Sequence, residues 1–201
     1  MKAWACAALA SLAGCLSLER EAPTVRTYLP TVQVPSERPG QGTLAVGRFD
    51  VSPRFARREF VYRQTDVHYE ADPYHLFLAE PGLVLREETE RWMRHAGVFA
   101  HAGDPARFAR ADVRLEGEVE EIYGDYRQPS SPRARLAVRF LAWNADGRLL
   151  LDRGYEADVP LGDSGRPTLV RGWETGLRRI LEALTADLRG VAGRPSTPPA
   201  D

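Results

Sequence analysis

Four consecutive residues, Leu12-Ala13-Gly14-Cys15, have the types and order for covalent chemistry. They follow a basic start, Met1-Lys2, and a short apolar run from Ala3 to Leu12. Lys2 holds the start on the cytoplasmic side, and the run enters a membrane but is too short to span it. Small Ala13 and Gly14 let a peptidase reach the backbone, and the thiol of Cys15 then accepts a diacylglycerol. The pattern is that of a bacterial lipoprotein signal over residues 1–14, cleaved ahead of a lipidated Cys15. Cys6, the other cysteine, has almost no apolar segment before it. A triacylated cysteine exceeds the two-signal threshold for stable anchoring.

A second candidate is Gly162-Asp163-Ser164-Gly165-Arg166-Pro167, which has the form of the nucleophile motif of trypsin-like proteases. That chemistry needs a histidine base, an aspartate to orient it and a double β-barrel to hold both. None of His68, His75, His95 and His101 has a recognisable base context. Asp163, Ser164 and Gly165 equally suit a turn into a helix. The four histidines also lack metal-ligand spacing and cysteine partners. No GxxxxGK[ST] or GxGxxG loop occurs. The residues therefore point to a protein that is not an enzyme, with no metal and no cofactor apart from the covalent lipid on Cys15.

Composition bounds the rest. Lys2 is the sole lysine among 27 basic residues, so beyond the signal only arginine balances the 28 acidic groups. That slightly acidic mixture argues against nucleic acid, which calls for a clustered basic surface. With one cysteine left, and that one lipidated, no disulfide can form, and stability must come from a packed core. After Cys15 no apolar run is long enough to cross a bilayer. The proline-rich stretch 15–42 (Pro23, Pro30, Pro35, Pro39) reads as a tether, although Val25–Val32 can add an edge strand that Pro30 limits. Residues 43–191 form a single domain, and 192–201, rich in proline and glycine, read as a disordered tail.

Within the domain, alternation predicts strands at Thr43–Val51, Phe60–Arg63 and Asp66–Glu70. Glu80-Pro81 opens a helix, with proline at its tolerated first position and Gly97 as its cap. Leu85, Thr89, Trp92, Met93 and Ala96 fall on one face of it. Asp104-Pro105 adds a turn, and strands follow at 112–122, 133–143 and 149–159. A last helix over 168–190 carries Leu169, Trp173, Leu177, Ile180, Leu181, Leu184 and Leu188 at three- and four-residue spacing. Gly172 and Gly176 on it signal close packing. The order predicts an α+β fold, an antiparallel sheet with two amphipathic helices packed on one face.

The Asp146-Gly147 pair reads as a two-residue hairpin turn. It sets Ala142 opposite Leu151, Val138 opposite Tyr155, Leu136 opposite Ala157 and Ala134 opposite Val159. Pairing Glu120 with Arg135, and Glu116 with Arg139, then gives one apolar face and a charge ladder of Glu116, Glu118, Glu120, Arg135, Arg139 and Asp158 on the other. Arg153 falls on the apolar face opposite Phe140, which calls for either a bulge or a snorkelling side chain. Near the hairpin the charged face turns apolar, with Leu141, Trp143 and Leu150 pointing away from the helices. Trp143 is expected directly opposite Leu150. Such a patch is covered either by a protein partner or by the chain's own Tyr28–Val32 or 53–63 segments.

Along about 28–190 the chain resembles the ABC-type transport auxiliary lipoprotein family, whose best-known type is paraquat-inducible protein C. The likeness rests on Tyr28-Leu29-Pro30, Thr43-Leu44-Ala45-Val46-Gly47, Val61-Tyr62-Arg63, Tyr69 and Ala79-Glu80-Pro81. It continues through the strand from Asp112 to Gly117, Glu156-Ala157-Asp158-Val159-Pro160 and the amphipathic last helix. Leu78 departs from it, standing where the family pattern has tryptophan. The resemblance implies a non-enzymatic lipoprotein beside an MCE-type ABC transporter, with a periplasmic MCE protein, a permease and an ATPase as partners. The implied role is docking the lipid conduit. Leu16, rather than aspartate, follows Cys15, so delivery to the inner leaflet of the outer membrane of a Gram-negative envelope is expected. Another envelope-assembly complex, such as lipopolysaccharide export or a secretion channel, is the alternative. Whether the chain forms a homo-oligomer is open at this stage.

Overall fold

A computed structural model describes residues 24–192. Its elements in chain order are β1 (Arg26–Tyr28), β2 (Thr43–Val51), β3 (Glu59–Arg63), β4 (Tyr69–Phe77) and α1 (Pro81–Met93). β5 (His101–Gly103), β6 (Val113–Asp125), β7 (Arg133–Asn144), β8 (Leu149–Pro160) and α2 (Arg166–Ala192) follow. The α+β class, the meander and the two helices are as the alternation and periodicity predict. Boundaries differ most at β4, which runs to Phe77, and at α2, which passes Gly190 to end at Ala192. Cys15, the 1–14 signal and residues 193–201 lie outside the described residues.

The apolar stripe of α2 explains the core. Leu169, Trp173, Leu177, Ile180, Leu181, Leu184 and Leu188 are all buried, each contributing roughly 1.5–3 kcal/mol by leaving water. The helix seats closely because Gly172 and Gly176 have no side chain. A Cβ on Gly172 would lie 2.6 Å from Ala134 Cβ, and one on Gly176 would lie 3.0 Å from Ala157 Cβ. The small-residue pair thus serves helix-on-sheet packing. On α1, Leu85, Thr89, Trp92 and Met93 are buried as the spacing predicts, and so is Ala96 in the turn after it. Trp92 Nε1–H donates to Thr185 Oγ1 at 2.9 Å and ties the helices together.

The sheet is mixed rather than antiparallel throughout. Only β3–β4, β6–β7 and β7–β8 pair antiparallel; β2 and β3 both run parallel to β6, β5 parallel to β2 and β1 parallel to β4. The parallel pairs join strands far apart in sequence, across crossovers that carry α1 for β2–β5, β2–β6 and β3–β6 and carry β2 and β3 for β1–β4. No local turn announces such a pair.

The expected tether is also shorter than 15–42. Thr31 N–H donates to Glu174 Oε1 at 3.0 Å on α2, and Val32 N–H to Glu88 Oε2 at 2.7 Å on α1. Arg91 pairs with Glu88 and donates to the Val32 carbonyl. Glu37 and Gly40 donate to the His95 and Phe99 carbonyls. The segment 26–40 is therefore a strap across both helices, with its buried backbone groups satisfied as burial requires.

Candidate functional site

The meander's outer face is built first by its turn. Asn144 N–H donates to the Arg148 carbonyl at 3.0 Å, closing a three-residue loop of 145–147. Only Gly147 has positive φ there, at 78°. A two-residue type I′ turn needs positive φ at both central residues. Asp146 does not adopt it, so the longer loop with glycine in the left-handed position forms instead. The expected pairs Ala142–Leu151, Val138–Tyr155, Leu136–Ala157 and Ala134–Val159 all stand. The loop's extra residue is absorbed by an irregularity after Ala142, so Trp143 faces Leu149 rather than Leu150.

That change redraws the apolar patch. Leu150 turns to pack against the core, Leu149 is exposed, and Leu141 and Trp143 are half-buried. Trp143 lines a groove of about 330 Å³ with Phe108, Ala109, Ala111, Arg114 and Glu116. Neither segment expected to cover the patch lies on it. The 26–40 strap crosses the helices, and Phe55 stacks on Tyr123 at 5.7 Å, toward the opposite end of β6.

The charge ladder is present with different partners. The expected Glu120–Arg135 register is displaced: Glu118 faces Arg139, Val119 faces Val138, and Tyr123 faces Arg135, with an irregularity at Glu120. Loop 126–132 is too long to dictate register; the slip is two residues up to Val119, which preserves which side chains face the core, and three beyond the irregularity, which puts Tyr123 on the face of Arg135. Arg135 reaches Glu121 at 3.2 Å, Glu156 at 3.4 Å and Asp158 at 3.5 Å. Arg139 grips Asp152 through two hydrogen bonds at 2.6 and 2.7 Å. Asp152 is thereby held below the usual carboxylate range, and Arg139 is raised above its own. Glu116, Glu118 and Glu120 make no ion pair among the described residues. Exposed pairs of this kind add little to stability. Arg153 does face Phe140, and its side chain snorkels to Asp187 on α2 at 2.8 Å.

A third group was not legible in the sequence. Pro73, Tyr74 and His75 bulge out of β4, between the Phe60–Asp72 and Glu59–Leu76 pairs; Pro73 has no N–H to give the ladder. The bulge turns Asp72 inward. Its carboxylate accepts Tyr62 O–H at 2.7 Å, His75 Nδ1 at 2.7 Å and Tyr74 N–H at 2.9 Å. An ionised carboxylate only accepts, so His75 carries its proton on Nδ1. Arg166, at the start of α2, lies over the Tyr62 ring at 4.3 Å with its Nε 3.6 Å from Asp72. Burial opposes ionisation of Asp72, but the bonds from Tyr62, Tyr74 and His75 outweigh it and hold its carboxyl below the usual range. Burial, and then Asp72, pushes the Tyr62 hydroxyl far above its ordinary value.

The Gly162–Pro167 motif forms the turn into α2. Asp163 Oδ1 accepts Gly165 N–H at 2.7 Å, and the Ser164 carbonyl accepts Arg166 Nη1–H at 3.0 Å. Ser164 is exposed, and no histidine hydrogen-bonds to it among the described residues.

Acidification should act through Asp72. Its folded pKa is depressed, so its stabilisation is complete above the unfolded value of about 4 and is lost as pH falls through the folded one. Asp125, lowered by Arg127, acts in the same direction. The melting temperature should hold from neutral pH to about 5 and fall below about 4, and Asp72→Asn should start lower and fall less steeply. Parallel acid profiles for the two proteins would assign the acid loss to other groups.

No family model and no curated protein matches the chain. Among solved structures it is similar to a Xanthomonas campestris protein of the DUF330 family, at 18% identity and TM-score 0.71, over 82% of this chain and 96% of that one. A second, described as an uncharacterized protein, is 15% identical with TM-score 0.68, over 82% of this chain and 99% of the other. The lipoprotein GNA1162 from Neisseria meningitidis superposes only weakly, at TM-score 0.30 and 10% identity, over 76% of this chain and 99% of its own. The first two likenesses, which span nearly the whole of those two proteins and four-fifths of this chain, establish that this chain has the α+β fold of the Xanthomonas campestris DUF330 protein.

Proposed function

We propose that the chain is a lipid-anchored, non-enzymatic envelope protein that docks the periplasmic conduit of an MCE-type ABC lipid-transport system at the outer membrane. The lipobox ending at Cys15 supports the anchor, and Leu16 supports the outer membrane as its site. The motif order from Tyr28-Leu29-Pro30 to Glu156-Ala157-Asp158-Val159-Pro160 supports the transport system, and the fold shared with a DUF330 protein accords with it.

The docking role rests on one observation. The outer sheet face pairs several of its charges internally and ends in Leu141, Trp143 and exposed Leu149 beside the Phe108 groove. Apolar groups rimmed by charge mark protein contacts, and tryptophan is enriched at their energetic centres. A lipid anchor makes partner binding a local encounter at high effective concentration, so a contact of this size is sufficient.

Trp143→Asp tests the reading. The variant should keep its far-ultraviolet circular dichroism and melt within a few degrees of wild type. It should lose co-purification with the MCE protein of the same cell by about thirtyfold, the roughly 2 kcal/mol of a central contact residue. Undiminished co-purification would remove Trp143 from the docking surface.

A further inference from the structure

The edge formed by β1 and β4 carries a second apolar face. Arg26 pairs with His75, Thr27 with Leu76 and Tyr28 with Phe77, and Leu78 N–H continues the ladder to the Tyr28 carbonyl at 2.8 Å. Paired residues share a face, so one side holds Tyr28 and Phe77, packed on Phe60 and in Phe77's case on Trp173. The other side holds Val25, Thr27 and Leu29 next to Tyr74, Leu76 and Leu78. None of these six is charged. Val25 is 53% exposed, Leu29 47%, Tyr74 42% and Leu78 54%, half of the eight exposed large apolar residues among those described. Glu59, opposite Leu76, borders them. The edge strand β8 is built differently, with Asp152, Glu156 and Asp158 along its outer face. Charge lines the outer face of that edge; at the β1–β4 edge the charges are Arg26, on the opposite side from Thr27 and Leu76, and Glu59 at the border.

Its place in the chain identifies the occupant. Val25 lies ten residues after Cys15, a span of at most about 35 Å when fully extended and about 18 Å as a flexible coil. With β1 paired to β4 and Thr31 and Val32 fixed to the helices, the first described residues lie at this edge. We infer that the Val25, Leu29, Tyr74 and Leu78 face rests on the lipid surface that holds the Cys15 acyl chains, and so sets the orientation of the domain above the membrane. The inference depends on acylation of Cys15. Burying these side chains at the interface removes apolar area from water, and tyrosine favours the headgroup level. A fixed orientation would point the far, Trp143 end of the meander in a constant direction.

The test uses the full acylated chain in vesicles of phosphatidylethanolamine and phosphatidylglycerol in equal parts. Beyond Cys15 the sequence has no cysteine, so Leu78→Cys and, separately, Leu149→Cys each give a single site for an environment-sensitive fluorophore. Lipid-borne quencher should reduce emission at position 78 several-fold more than at 149. A Val25→Asp/Leu29→Asp pair added to Leu78→Cys should bring quenching down to the level at 149, with an unchanged melting temperature. Equal quenching at both sites in vesicle-bound protein would overturn the orienting face and leave the anchor intact. A fluorophore at 78 that is shielded without being quenched would assign the face to a second copy or another protein. Protein that fails to float with the vesicles would remove the anchor and this inference together.

Discussion

Trp173→Ala is expected to cost about 3–5 kcal/mol, the upper range for truncating a buried aromatic residue. Trp173 is fully buried on α2, its ring 4.9 Å from Phe60 in an edge-on contact and 5.1 Å from Phe77. Its Nε1–H is shared between the Tyr123 carbonyl at 3.3 Å and the Arg135 carbonyl at 3.2 Å. One side chain thus joins β3 and β4 to the β6–β7 pair, whose ladder with β3 is short, formed by Tyr62–Gly124 and Arg63–Asp125. Truncation leaves a large cavity and frees two buried carbonyls. For a domain of this size the loss corresponds to a melting temperature lower by about 10 °C or more. Trp173→Phe keeps most of the apolar volume and removes the donor, and should cost about 1–3 kcal/mol. Urea unfolding at constant m-value measures both. A loss under about 1 kcal/mol for the alanine variant would show that the two halves of the sheet are not joined through this residue.

Cys15→Ser should abolish acylation while leaving the folded domain at its wild-type melting temperature. The thiol is the group that accepts the lipid, and a serine hydroxyl does not replace it. The two effects separate because both cysteines, Cys6 and Cys15, precede the described domain, so its core uses neither. Labelled palmitate followed by fractionation is the measurement. Expected results are complete loss of label and release of the protein from membranes. Label retained by the variant would refute the lipobox reading. Sucrose-gradient separation of the wild-type membranes tests Leu16, and recovery in the inner-membrane fraction would reject outer-membrane delivery.

The sequence by itself determined what depends on neighbours in the chain. Helical spacing named the buried faces of α1 and α2 residue by residue, because a 3.6-residue period leaves one set of side chains facing the sheet. Alternation and a glycine turn paired β7 with β8 correctly from Ala134–Val159 to Ala142–Leu151, since a short hairpin fixes register locally. Even there, the backbone demanded of Asp146 by a two-residue turn was not met, and Leu149 took the place of Leu150 opposite Trp143.

Tertiary structure decided the rest, and the reason is distance along the chain. The parallel pairs β2–β6 and β1–β4 are closed by crossovers, which carry no turn signature. Charge complementarity between Glu120 and Arg135 suggested a register, but exposed ion pairs contribute too little to hold it against burial of Tyr123 under Phe55 and Tyr69. The strap at Thr31 and Val32 depends on Glu174 and Glu88, on different helices. The Asp72 cluster joins β3, β4 and α2, bringing Arg166 to within 3.6 Å of a carboxylate some ninety residues earlier. Its residues were each visible in the sequence, but only packing made them a group.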